Sequence, residues 1–67
     1  MFNLYDIVKL KKDRPDIGVY TTNVGVIVDY VKNDNVYTVE FFDENDETIK
    51  KALFEYFSPD ELELTSV

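Results

Sequence analysis

Apolar residues recur at every second position in several short stretches of this chain, the spacing of half-buried β-strands. In residues 4–10, Leu4, Val8 and Leu10 share one parity, and Tyr5, Ile7 and Lys9 the other. Residues 24–31 set Val26, Val28 and Tyr30 against Ile27 and Asp29. Residues 36–42 alternate most cleanly, with Tyr37, Val39 and Phe41 on one face and Val36, Thr38, Glu40 and Phe42 on the other. Residues 48–54 are read as a fourth strand and residues 62–64 as a closing fifth.

Turn chemistry separates these stretches. Residues 11–18 form a loop in which Pro15 holds Arg14 extended and Gly18 can supply a positive φ. Gly25 suggests a bulge or a close backbone approach at the start of the second strand. Asn33-Asp34-Asn35 makes a hairpin turn, because Asn and Asp tolerate left-handed geometry. Residues 43–47 make a second turn. Ser58-Pro59-Asp60-Glu61 has the cap, the proline and the Glu of a helix start, with room for only one 3₁₀ turn. The pattern predicts an all-β domain over residues 1–67: a small five-stranded SH3-like barrel with a short 3₁₀ turn before the last strand.

Composition narrows the function. The chain has 67 residues, so its expected stability is only about 3–10 kcal/mol. With 14 acidic and 7 basic residues the net charge is −7. Such a field repels phosphate backbones and anionic membranes and attracts basic protein surfaces. It also simply keeps a small domain soluble. The N-terminal residues show no basic segment followed by an apolar run, so no signal peptide is expected, and no apolar run is long enough to span a bilayer. With no cysteine, the expectation is a cytoplasmic protein without disulfides.

The string Leu4-Tyr5-Asp6-Ile7-Val8-Lys9-Leu10 followed by Pro15-Asp16-Ile17-Gly18-Val19 resembles a family of short bacterial domains. Val24-Gly25-Val26-Ile27-Val28-Asp29-Tyr30 and Tyr37-Thr38-Val39-Glu40-Phe41 continue the resemblance. The order is similar to the domain-of-unknown-function 4926 family, from Leu4 to about Leu64. The resemblance implies a small SH3-like barrel without assigned catalysis and transfers no site residues. The chain departs from the family in lacking a glycine near Thr22 and in carrying Asp46 where such hairpins often have Gly.

Little catalytic chemistry survives the composition. There is no His to act as a base near neutrality and no Cys to act as a thiolate, so no catalytic residues are assigned and no enzyme is expected. Zinc lacks its usual ligands. Residues 43–47 look like the start of a calcium loop, but Thr48 stands where that loop needs Gly and Phe54 where it needs Glu, so no metal or cofactor is expected.

What remains is recognition. Between Asn33 and Ile49 there is no Lys or Arg, and the carboxylates gather around the second turn. Tyr37, Phe41 and one or two of Phe54 and Phe57 are expected to fill the barrel, leaving Tyr20, Phe42 and Tyr56 outside. A slip of one residue would exchange the faces, so Tyr37 also stands as a surface candidate. Exposed aromatics among charges have the composition of an interface hot spot. The candidate partner-binding residues are therefore Glu40, Asp43, Glu44, Asp46 and Glu47, with Phe42 and Tyr37 or Tyr56 as anchors. The leading expectation is an acidic protein-interaction module, in its most concrete form an immunity or antitoxin-like inhibitor of a basic toxin such as a nuclease. One rival is a KOW-like RNA-binding accessory using Lys9, Lys11, Lys12 and Arg14, with Tyr5 and Tyr20 for stacking. Another is a structural subunit of a larger complex.

Overall fold

The computed structural model describes residues 2–66. Its strands are β1 (Ile7–Leu10), β2 (Gly25–Val31), β3 (Val36–Phe41) and β4 (Leu62–Leu64). They form one antiparallel sheet in the order β3-β2-β1-β4. Three 3₁₀ segments, Pro15–Ile17, Lys50–Phe54 and Pro59–Glu61, complete the described regular structure, which contains no α-helix.

The period-two pattern places the core. Tyr37, Val39 and Phe41 of β3 point inward beside Val8 and Leu10 of β1, Ile27 of β2 and Leu62 of β4. Ile17 and Val19 from the first long connection join them, with Ala52 and Phe57 from the chain after β3. Aromatic rings meet edge-on at Phe41–Phe57, 5.4 Å apart, and at Phe2–Tyr37, 5.5 Å apart.

Gly25 has the role its position suggests, but as a close approach and not as a bulge. A Cβ there would lie 2.6 Å from Val39 Cγ1 and 2.7 Å from Phe41 Cδ1. The bulge falls at Val28, where the β2–β3 register slips between Ile27 and Asp29. That extra residue changes which side chains face inward. Asp29 stays in solvent, and Tyr30 turns toward the core to lie 4.9 Å from the Tyr37 ring.

Residues 48–54 do not form the expected fourth strand. Thr48 bridges Phe42, and the chain then winds into the 3₁₀ segment Lys50–Phe54. The inward positions are Ile49 and Ala52, three residues apart, which is the 3₁₀ period. A strand there would need alternation, and the adjacent Lys50 and Lys51 break it. Beyond this segment β3 meets the chain again at the Tyr37–Phe57 bridge, whose two backbone hydrogen bonds are both 2.8 Å. The sheet therefore has four strands instead of five, and no continuous ladder closes it between β3 and β4.

The expected turns form. Gly18 adopts φ 74 after the first 3₁₀ turn, and Asn35 adopts φ 51 before β3. Before the third 3₁₀ segment, the Ser58 N–H and hydroxyl both donate to Glu61 Oε1, at 2.9 and 3.1 Å. No described helix is long and apolar enough to cross a membrane.

Candidate functional site: an acidic cleft at the end of β3

The turn after β3 is built by its own first carboxylate. Asp43 Oδ1 accepts the N–H groups of Asn45 at 2.8 Å and Glu47 at 3.0 Å. The Asp43 N–H donates to the Glu47 carbonyl, and the Asp46 N–H to the Asp43 carbonyl. This geometry forces Asp46 to φ 62, a left-handed conformation that Asp tolerates better than most side chains.

The turn faces a second one. Asn23 Nδ2 donates to the Phe42 carbonyl at 3.2 Å, and the Phe42 N–H donates to the Val24 carbonyl at 3.0 Å. Between the two turns lies an open cleft of about 510 Å³, lined by Thr22, Asn23, Val24, Phe42, Asp43, Glu44 and Asp46. Its lining joins the half-buried Val24 and Phe42 to the carboxylates of the turn and to Thr22 and Asn23.

Four of the expected site residues, Phe42, Asp43, Glu44 and Asp46, thus come together. Glu47 is exposed on the same turn, outside the cleft lining. Glu40 is half-buried and accepts the Thr48 hydroxyl at 2.7 Å, which ties it to the base of the turn. Two expected residues lie elsewhere. Tyr37 is only 1% exposed and belongs to the core, so it cannot anchor a partner. Tyr56 is exposed, but it adjoins the Phe57–Tyr37 bridge at the opposite end of β3. Five residues of strand, roughly 17 Å, separate that bridge from Phe42. Thr22, Asn23 and Val24 were missed because only the β2–β3 register brings them beside Phe42; the run Val24-Gly25-Val26 opposite Glu40-Phe41-Phe42 was the available clue.

Among the four basic residues of the Lys9–Arg14 edge, Arg14 is paired with carboxylates of the chain itself. Arg14 donates from Nε and Nη2 to the two Asp16 oxygens, at 3.0 and 2.9 Å, and from Nη2 to Glu55 Oε1 at 3.3 Å. Its Nη1 lies 3.5 Å from Glu61 Oε2. The guanidinium joins the first connection to the segments before and at the third 3₁₀ turn, and its donors are taken up by carboxylates of the chain itself. The adjoining groove, about 350 Å³, mixes Lys11, Lys12 and Arg14 with Asp13, Asp60 and Glu61.

The fork between Arg14 and Asp16 has a pH signature. Hydrogen bonding to Asp16 raises the Arg14 pKa above its ordinary value, and the same bond lowers the Asp16 carboxyl below its ordinary 3.8. A lowered folded-state pKa stabilises the protein above the unfolded value and loses that contribution as pH falls through the folded value. Asp16→Asn is therefore expected to lower the melting temperature slightly at neutral pH. The gap should narrow as pH drops below 3.8, where the unfolded chain's carboxyl takes up its proton, and close once pH has fallen through the lower folded-state value. A gap unchanged across that range in thermal melts would show that the fork contributes nothing.

The profile of the family described as Domain of unknown function (DUF4926) matches residues 4–63, from before β1 into β4. The chain belongs to that family. No curated protein and no solved structure matches it. In this DUF4926 domain the matched span contains the acidic cleft and Arg14 with all three of its carboxylates. Among the described residues, no three carboxylates are grouped so as to hold a metal ion.

Proposed function

We propose that this DUF4926 domain is a non-catalytic module that binds a basic protein through the acidic cleft after β3. The observation that carries the reading is the cleft itself, which sets Asp43, Glu44 and Asp46 beside the apolar side chains of Phe42 and Val24. An apolar centre inside a charged rim suits an aliphatic or aromatic anchor flanked by Lys or Arg. In its most concrete form the module is a cytoplasmic immunity or antitoxin-like inhibitor that occludes a cationic toxin such as a nuclease. A nuclease cleft built to attract phosphate presents the charge that these carboxylates complement. Architecturally we read the domain as an incompletely closed SH3-like barrel. The Tyr37–Phe57 and Phe42–Thr48 bridges stand where a fifth strand would complete the ladder.

The test compares capture from host lysate by the tagged protein and by a Glu44→Gln/Asp46→Asn/Glu47→Gln variant, at low and high salt. One stoichiometric basic protein should be retained at low salt, with affinity about tenfold or more weaker for the variant, and the difference should shrink at high salt. Its toxicity when expressed alone would support the inhibitor reading. Capture of RNA, or of a partner held equally by the neutralised variant, would overturn the assignment.

A further inference from the structure

The segment after the acidic turn exposes a surface of opposite character. A 3₁₀ helix has three residues per turn, so positions i and i+3 eclipse one another. In Lys50–Phe54 this sets Lys50 over Leu53 and Lys51 over Phe54, while Ala52 faces the core. Phe54 is 84% exposed, the highest value among the exposed large hydrophobic residues described. Leu53 is also exposed beside it. Among the described residues every ion pair belongs to Arg14, so neither lysine is neutralised within the chain. An aromatic this open beside unpaired cations has the chemistry of an interface anchor.

The chain itself carries the complement. Only Thr48 and Ile49 separate the acidic turn from this cationic, apolar knob. One patch is a cleft lined by carboxylates, Val24 and Phe42; the other is an exposed aromatic ring beside two ammonium groups. A two-fold axis passing between the two patches would set the knob of each copy against the cleft of the other, which is the condition for a self-complementary interface. We propose that this edge forms a symmetric homodimer, with Phe54 of each chain entering the acidic cleft of the other and Lys50 and Lys51 meeting Glu44 and Asp46. The net charge of −7 on each chain opposes approach at long range. At physiological ionic strength that repulsion is screened beyond about 8 Å, and the opposed contact charges decide the outcome. The dimer does not depend on the proposed basic partner, although both would use the same carboxylates.

Sedimentation equilibrium of the purified protein, from micromolar to millimolar concentration, is the direct test. The mass should rise from one chain to two and stop there. Phe54→Ser should weaken association by about tenfold or more, the loss expected for a central anchor. Lys50→Glu/Lys51→Glu should remain monomeric, because its knob then faces like charge in the cleft. Glu44→Lys/Asp46→Lys should also remain monomeric, for the converse reason. Mixing these two variants should restore a dimer, since each reversed patch then meets its opposite. All substituted positions are exposed, and far-UV circular dichroism verifies that each variant is folded. A chain that stays monomeric to millimolar concentration overturns the proposal. So does association that survives the charge reversals, a mixture that does not recover, or growth beyond two chains.

Discussion

Gly25→Ala is expected to destabilise the domain by about 1–3 kcal/mol, toward the upper end of what a single added methyl group costs in a packed core. The new Cβ would come within 2.6–2.8 Å of Val39 Cγ1 and of Cδ1 and Cε1 of Phe41. Both side chains are fully buried, so neither can swing into solvent to make room. Relief must come from a shift of β2 against β3. That shift would disturb the Val8↔Gly25 and Gly25↔Phe41 pairings together. Against a total stability of about 3–10 kcal/mol, a loss of this size is a large fraction of the whole. Urea denaturation would read it as a lower midpoint with an unchanged slope. A midpoint equal to that of the parent chain would mean that β2 and β3 lie further apart at this point than described. Gly25 would then be a residue of convenience.

Phe57→Ala should cost more, about 3–5 kcal/mol, and leave a substantial unfolded population at ambient temperature. Its ring is completely buried and meets Phe41 at an interplanar angle of 77°. Its backbone also exchanges both hydrogen bonds with Tyr37, so the cavity would open under one of the contacts between the C-terminal segment and β3. The control lies three residues earlier. Phe54→Ala, at a position that is 84% exposed, should change stability by no more than about 0.5 kcal/mol when measured at low protein concentration. Two phenylalanines of the same size are thus expected to differ several-fold in effect, and the pair can be compared in one set of denaturation curves. Equal losses would mean that the turn Lys50–Phe54 buries Phe54 and that the knob does not exist in solution.

Local signals were legible where short-range chemistry and burial agreed. Tyr37, Val39 and Phe41 sit on the buried face of β3, because strict alternation over six residues leaves one face to exclude water. Glu61 reaches back to accept from the Ser58 N–H as their spacing implies, and Gly18 takes the positive φ its position suggests. The turn around Asp43 was readable for the same reason: a short carboxylate placed before Asn45 and Glu47 can reach their N–H groups without help from elsewhere in the fold. Of the five carboxylates expected at the candidate site, Asp43, Glu44 and Asp46 line the cleft, whereas Glu40 and Glu47 lie outside its lining. Phe54 and Phe57 could not be told apart, since an apolar residue in an irregular segment carries no parity.

By itself, then, the sequence determined the all-β class, three strands and the closing one after the capped turn, the places of the tight turns, and the sign of the surface charge. These depend on interactions within a few residues or on simple counting. Only the tertiary structure decided that residues 48–54 mostly wind as a 3₁₀ segment, since Ile49 and Ala52 both had to reach a core already lined by β3. It placed the bulge at Val28, which sends Tyr30 inward and keeps the Asp29 carboxylate in water. It brought Glu55 and Glu61 to Arg14, tying one residue of the basic edge into a surface ion-pair network. It also put Tyr56 and the acidic cleft at opposite ends of β3. Each of these outcomes depends on which distant segments share a neighbourhood, and that is set by the competition of all apolar groups for one small interior instead of by any local preference.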